Sequence, residues 1–208
     1  VTVIYELDLP VPTVQLEQAL REFAATIKTD PDDKPWLDAS QEQDVNSVDA
    51  AFVRAEILEP LVRAEYSRFF PDTDIMALVG LMRNLEDQSA CLPPHVDQTR
   101  ALAINYYMDL GGDHVTTSFY DRFEQVSVDR AYNFRYKDLV KVGEFCFAAN
   151  KWYAFSTDQC HSVEGIQTQR LVFTIIRTNN TEVYNINDLV TKNTHIMATL
   201  VFNLSNKY

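Results

Sequence analysis

From residue 75 onward the chain is a succession of short apolar runs separated by turn signals, and that pattern limits what it can fold into. The runs fall at 75–85, 100–109, 115–121, 144–149, 151–157, 170–178 and 196–203. Short runs with turns between them suggest an antiparallel sandwich or barrel. Ahead of them, a strand-like VTVIYEL gives way to a turn bounded by Pro10 and Pro12. Thr13 can cap a helix over 14–28, with Leu16, Leu20, Phe23 and Ile27 on one apolar stripe. Residues 29–47 are polar and aperiodic and read as a long surface loop or lid. A helical stretch is expected over 48–70, restarting near Pro60, whose missing N–H suits a first turn. Residues 121–143, rich in Arg and Tyr, read as an irregular insertion. The expected architecture is mainly β with flanking helices. It forms one domain over 1–208, helical over about 1–74 and a barrel over about 75–208.

One of these runs carries a charge where a strand should have none. In RLVFTII, strict alternation puts Arg170, Val172, Thr174 and Ile176 on one face and Leu171, Phe173 and Ile175 on the other. A guanidinium on a strand buried on both sides is costly unless it meets an anion. Its planar fork is suited to gripping a carboxylate through paired hydrogen bonds. A single Arg in such a place more often marks a structural ion pair. Its company decides between the two readings.

That company is His95, Asp97 and His161. His95 and Asp97 form an H-x-D pair in PPHVDQTR, and on a strand side chains two apart project from one face. His161 stands alone in FSTDQCHSVEG, much further along. Two imidazoles and one carboxylate can hold a divalent first-row metal on one face and leave the opposite face open, the arrangement of non-haem iron(II) oxygenases. H-x-D alone is weak, since it arises often by chance. The Arg in an apolar strand strengthens it.

With these residues in place, the chain resembles the 2-oxoglutarate- and Fe(II)-dependent oxygenases, particularly their prolyl-hydroxylase-like branch. The resemblance covers roughly residues 76–178. It runs through His95 and Asp97, Arg100, the strand ALAINYYMDL, the Gly111–Gly112 turn and VTTSFY, and closes on His161, Val163, Arg170 and Thr174. It implies a double-stranded β-helix, a squashed jelly-roll barrel with helices packed on one side. It further implies that His95, Asp97 and His161 are the catalytic iron ligands and that Arg170 holds the distal carboxylate of 2-oxoglutarate. Tyr107 would hydrogen-bond the same carboxylate, and Asn105, on the face of Tyr107, would line the cosubstrate wall. Many members carry Ser two residues after the Arg, where this chain has Val172. The implied cofactors are Fe(II) and the cosubstrate 2-oxoglutarate, with ascorbate as an accessory. The implied reaction is hydroxylation of a peptidyl proline, another amino-acid side chain or a small metabolite, with release of succinate and CO2.

Charge narrows the partners. Eighteen basic against 30 acidic side chains leave a net charge of −12, which opposes nucleic-acid binding. No apolar run is long enough to span a membrane. Cys91, Cys146 and Cys160 form no C-x-x-C pair and read as small hydrophobes in a reducing, cytoplasmic compartment. Cys160, beside His161, should face away from it on a strand. The chain opens at Val1 without Met, which leaves room for a removed leader. His114, after the Gly-Gly turn, is expected to face solvent, His195 precedes an apolar strand, neither reads as catalytic, and Trp152–Tyr153 are expected in the core. Two competing classes remain: a zinc-dependent hydrolase or isomerase on a cupin-like barrel, since His, His and Asp also suit zinc, and a non-catalytic binding module.

Overall fold

Two antiparallel sheets face each other in the computed structural model, which describes residues 3–28, 46–70, 74–84, 88–97, 102–122, 136–178, 186–192 and 195–204. The strands are β1 (Val3–Leu7), β2 (Asp49–Arg54), β3 (Asp74–Arg83), β4 (Ala90–His95), β5 (Leu102–Leu110), β6 (Thr116–Arg122), β7 (Leu139–Phe145), β8 (Trp152–Ser156), β9 (Cys160–Ile166), β10 (Arg170–Thr178) and β11 (Ala198–Asn203). The larger sheet has the order β11-β1-β8-β5-β10-β3-β2, and the smaller β4-β9-β6-β7. Between β3 and β10 the chain changes sheet at every step except from β6 to β7. Sequential strands therefore face each other across the interior instead of pairing. That is the strand order of a double-stranded β-helix, four strands to a side. Strands β1, β11 and β2 widen the larger sheet at its two edges.

The alternation in β10 separates two cores. Leu171, Phe173 and Ile175 point outward and join α1 (Val14–Thr26) and α2 (Glu59–Tyr66) in the main apolar cluster. Thr13 caps α1 by accepting the Leu16 N–H at 3.3 Å, and Leu16, Leu20 and Ala24 carry its buried stripe. Pro60 sits in the first turn of α2. Tyr66 of α2 packs edge-on to Trp152 at 5.2 Å, and both donate to the Pro10 carbonyl, at 3.0 and 2.9 Å. A further short helix, α3 (Ile186–Lys192), adds Ile186 and Leu189 to the same cluster. Val172, on the other face of β10, joins Ala103, Tyr107, Phe119, Phe147, Tyr153 and Phe155 inside the barrel.

Several expectations need correction. The helix expected over 48–70 begins as strand β2, which pairs with β3 along its whole length before a 3-10 turn leads into α2. Ala51 and Val53 pack toward the helices while Phe52 faces the other way, so a free sheet edge prevails over the helical propensity of an Ala-rich segment. Strands β4 and β9 fall outside the expected apolar runs, although the spacing of His95 and Asp97 and the placing of Cys160 beside His161 were read with strand geometry. Within the expected insertion at 121–143, residues 139–143 belong to β7, while 123–135 lie outside the described residues, as do 29–45 of the expected surface loop.

Candidate metal centre

The geometry begins with β4, whose sequence ACLPPH contains Pro93 and Pro94. Proline cannot donate to a ladder, so such a strand belongs at a sheet edge, and β4 is the edge of the smaller sheet. It meets β9 through a shifted register that brings His95 directly opposite His161. Their rings lie 4.4 Å apart, centroid to centroid. Strand β4 ends at His95, and Asp97 stands just beyond it, anchored by its own N–H to the Thr157 carbonyl at 3.1 Å. Val96 and Cys160, the neighbours of the two histidines, turn to the opposite side and pack with Tyr120, so Cys160 faces away as expected. One donor atom from each of His95, Asp97 and His161 lies within 4.8 Å of the others, which suits a single metal ion.

Both imidazoles are held in the same way. The His95 Nδ1 lies 2.8 Å from the Pro93 carbonyl and the His161 Nδ1 2.9 Å from the Gln159 carbonyl. A carbonyl only accepts, so each Nδ1 carries the proton and each Nε2 keeps its lone pair. That is how metal-ligating histidines are oriented. The His95 Nε2 lies 3.7 Å from an Asp97 carboxylate oxygen. Two imidazole nitrogens and one carboxylate on one side of a cavity fit Fe(II) as a resident metal and leave its other positions to ligands.

Across the barrel the larger sheet supplies the rest of the cavity. Its lining includes Asn105 and Tyr107 from β5 and Arg170, Val172 and Thr174 from β10, facing the triad. Counted with its open mouth, the cavity encloses about 450 Å³ of empty space. Arg170 is only 2% exposed. One of its terminal nitrogens donates to the Leu110 carbonyl at 3.0 Å, but its Nε–H is buried with no acceptor. Burial pushes its pKa down, opposed by Tyr107, over whose ring the guanidinium sits at 4.9 Å. No carboxylate among the described residues pairs with it. Among the described residues, then, Arg170 makes no structural ion pair, the reading weighed as the alternative. The positive φ of Gly111, +87°, lets the chain turn against Arg170, since a Cβ there would lie 3.0 Å from that of Arg170.

Of the remaining candidates, His114 and His195 are exposed and Trp152 and Tyr153 are buried. Arg100 lies outside the described residues. Sequence reading missed the role of Pro93 and Gln159 as backbone holders of the histidines, because any residue type can supply a carbonyl.

The outer face of β9 carries a second polar cluster, behind the triad. The Glu164 carboxylate accepts from Tyr120 at 2.5 Å, Ser162 at 2.7 Å and Ser118 at 3.1 Å, with the Lys141 ammonium at 3.5 Å. Burial acts to raise its pKa, but the hydrogen bonds and Lys141 outweigh burial and hold it below the usual carboxylate range. A depressed folded-state pKa stabilises the fold above the unfolded value, and that stability is lost as pH falls through the folded value. The stability difference between the native protein and Glu164→Gln is therefore expected to shrink as pH drops below about 4, measured by denaturant unfolding across pH. A difference that grows on acidification would contradict the depressed pKa.

The comparisons with known proteins come from structure alone. No protein-family model matches the chain, and no curated protein matches it by sequence. Among solved structures, it is similar to a prolyl-4-hydroxylase from Pseudomonas putida at 12% identity and a TM-score of 0.43, over 85% of this chain and 92% of that one. It is also similar to an oxidoreductase of the 2OG-Fe(II) oxygenase family from Burkholderia pseudomallei at 13% identity and a TM-score of 0.48, over 88% of each chain. Both belong to the class that the sequence resembles. Identity and scores this low carry no further argument, so the functional reading rests on the strand order and the cavity.

Proposed function

We propose that this protein is an Fe(II)- and 2-oxoglutarate-dependent dioxygenase. Its substrate would be a peptidyl proline, another amino-acid side chain or a small metabolite, hydroxylated with release of succinate and CO2. The observation that supports this most is Arg170: a buried guanidinium with an unanswered Nε–H in the same cavity as a two-histidine, one-carboxylate triad. A zinc hydrolase has no need of such a cation beside its metal. A keto diacid needs one, because one end chelates the metal while the other carries a second negative charge.

In this reading each side chain has a stated task. His95 and His161 present Nε2 to the iron because their Nδ1 protons are held by backbone carbonyls. Asp97 adds the anionic ligand. Arg170 and Tyr107 receive the distal carboxylate and fix the depth at which the keto acid sits. When bound, the metal supplies O2 activation coupled to oxidative decarboxylation of the keto acid, chemistry that no side chain offers. Phe155, Val163 and Val172 give the cavity apolar walls that exclude water, and Phe52, Met82 and Leu92 extend them. Phe52 remains 42% exposed, so the cavity has an aromatic surface that a substrate can reach. The chain has no helix among its described residues long and apolar enough to cross a membrane. The ascorbate expectation rests on the resemblance alone.

The test is oxygen uptake. Protein loaded anaerobically with Fe(II) is expected to consume O2 and form succinate only when 2-oxoglutarate is present, faster with a true substrate. With 18O2, the label should appear in both succinate and the hydroxylated product. Turnover with Zn(II) and no O2 would move the protein to the hydrolase class. Failure to bind 2-oxoglutarate at all would leave a non-catalytic module.

A further inference from the structure

We infer that Gln159 is a positioning residue of the metal centre, whose side chain holds the turn that orients His161 and anchors Asp97; this rests on the metal-binding reading proposed above. The turn is residues 157–159, between β8 and β9. Because β8 belongs to the larger sheet and β9 to the smaller, the turn passes from one sheet to the other outside both ladders. Two metal ligands nevertheless depend on its carbonyls. The Thr157 carbonyl accepts the Asp97 N–H at 3.1 Å, and the Gln159 carbonyl accepts the His161 Nδ1–H at 2.9 Å. His95 is held differently. Its carbonyl partner, Pro93, precedes it as Gln159 precedes His161, but lies inside β4 with φ locked by the proline ring.

The side-chain amide of Gln159 supplies the support that the ladders do not. Its Nε2 donates to the Tyr120 carbonyl and, at 3.3 Å, to an Asp121 carboxylate oxygen, both on β6. A carbonyl and an ionised carboxylate only accept, so both contacts require the NH2 end of the amide, and its orientation is settled. Strand β6 is itself paired with β9, Tyr120 opposite Cys160, so the turn is tied to the neighbour of the strand that carries His161. Without the amide, the Gln159 carbonyl can move off the His161 ring. A neutral imidazole can carry its proton on either nitrogen, and a proton on Nε2 takes the lone pair that the metal needs.

The test reads the ring protons directly, in the metal-free full chain labelled with 15N-histidine, at a pH where the imidazoles are neutral. Long-range 1H–15N spectra of the native protein are expected to place the proton of both His95 and His161 on Nδ1. Gln159→Glu keeps the side-chain shape and sets an acceptor against the Tyr120 carbonyl and the Asp121 carboxylate. It is expected to move His161 to a mixture of the two tautomers, while His95, held by Pro93, stays as it was. Mn(II) affinity, measured by calorimetry, should fall about ten-fold, the low end of what outer partners of metal-bound histidines cost. Retention of either the His161 Nδ1 proton or the native Mn(II) affinity overturns the role. So does loss of the Nδ1 proton at both histidines, which is general loosening and not positioning. If Gln159→Glu does not fold, Gln159→Met, similar in length and without donor or charge, must give the same change at His161 alone. A native protein that binds no Mn(II) overturns the metal-binding reading instead, which keeps the two failures apart.

Discussion

His161→Gln or His161→Ala is expected to abolish both stoichiometric metal binding and turnover. His161 supplies one of three donor atoms that lie within 4.8 Å of each other, and removing it leaves His95 and Asp97 as a two-donor site. Two donors that share one short stretch of chain hold a divalent ion far more weakly than three converging from two strands. Gln keeps most of the bulk at this buried position, so loss of metal in that variant cannot be blamed on a cavity. Metal content after desalting and Mn(II) titration check the outcome, with circular dichroism to show that the fold is retained. If either variant binds metal as tightly as the native protein, His161 is not a ligand and the triad is wrong.

Arg170→Met is expected to lower 2-oxoglutarate affinity by about ten- to a hundred-fold or more, the worth of a charge-assisted hydrogen bond of about 1.5–3 kcal/mol. Metal binding should survive, because Arg170 lies on the opposite sheet from the two histidines. The same variant should be more resistant to unfolding than the ligand-free native protein. Arg170 is a buried cation whose Nε–H finds no acceptor and whose pKa is pushed down by burial. The fold carries that cost only while no anion is bound. Saturating 2-oxoglutarate should stabilise the native protein and leave the variant unmoved. Thermal melts with and without the keto acid give both readings. A variant that binds 2-oxoglutarate as well as the native protein would remove Arg170 from the site.

In the proposed reading, the cost of Arg170 and its task have the same origin. Stability would favour an apolar residue among Val172, Tyr107 and the barrel aromatics. Carboxylate recognition requires a charge at that place, held dry. Active sites commonly carry such a local penalty, and the surrounding core offsets it.

Much of this was legible in local pattern. The alternation of β10 put Arg170, Val172 and Thr174 on one face and Leu171, Phe173 and Ile175 on the other, and in the structure the first set lines the cavity and the second packs against the helices. Thr13, the apolar stripe that follows it and Pro60 marked the helices because capping and periodicity act over a single turn. The H-x-D pair, the lone His161 and the Arg were visible as residue types with a shared chemistry.

What local pattern did not contain was partnership. The Pro93–Pro94 pair reads as a break in any strand, and only the edge position in the smaller sheet makes β4 possible. Strand β9 alternates buried His161 and Val163 with a hydroxyl and a carboxylate that read as polar loop until Tyr120 and Ser118 arrive beside them. Strand β2 reads as helix until the edge of β3 pairs with it. The meeting of His95 with His161 depends on which strands lie side by side. The sequence by itself determined which faces are apolar and which residues can bind metal and carboxylate, because those follow from side-chain chemistry and a two-residue period. Only the tertiary structure decided which of them share a cavity, because register between distant strands is set by the packing of whole sheets.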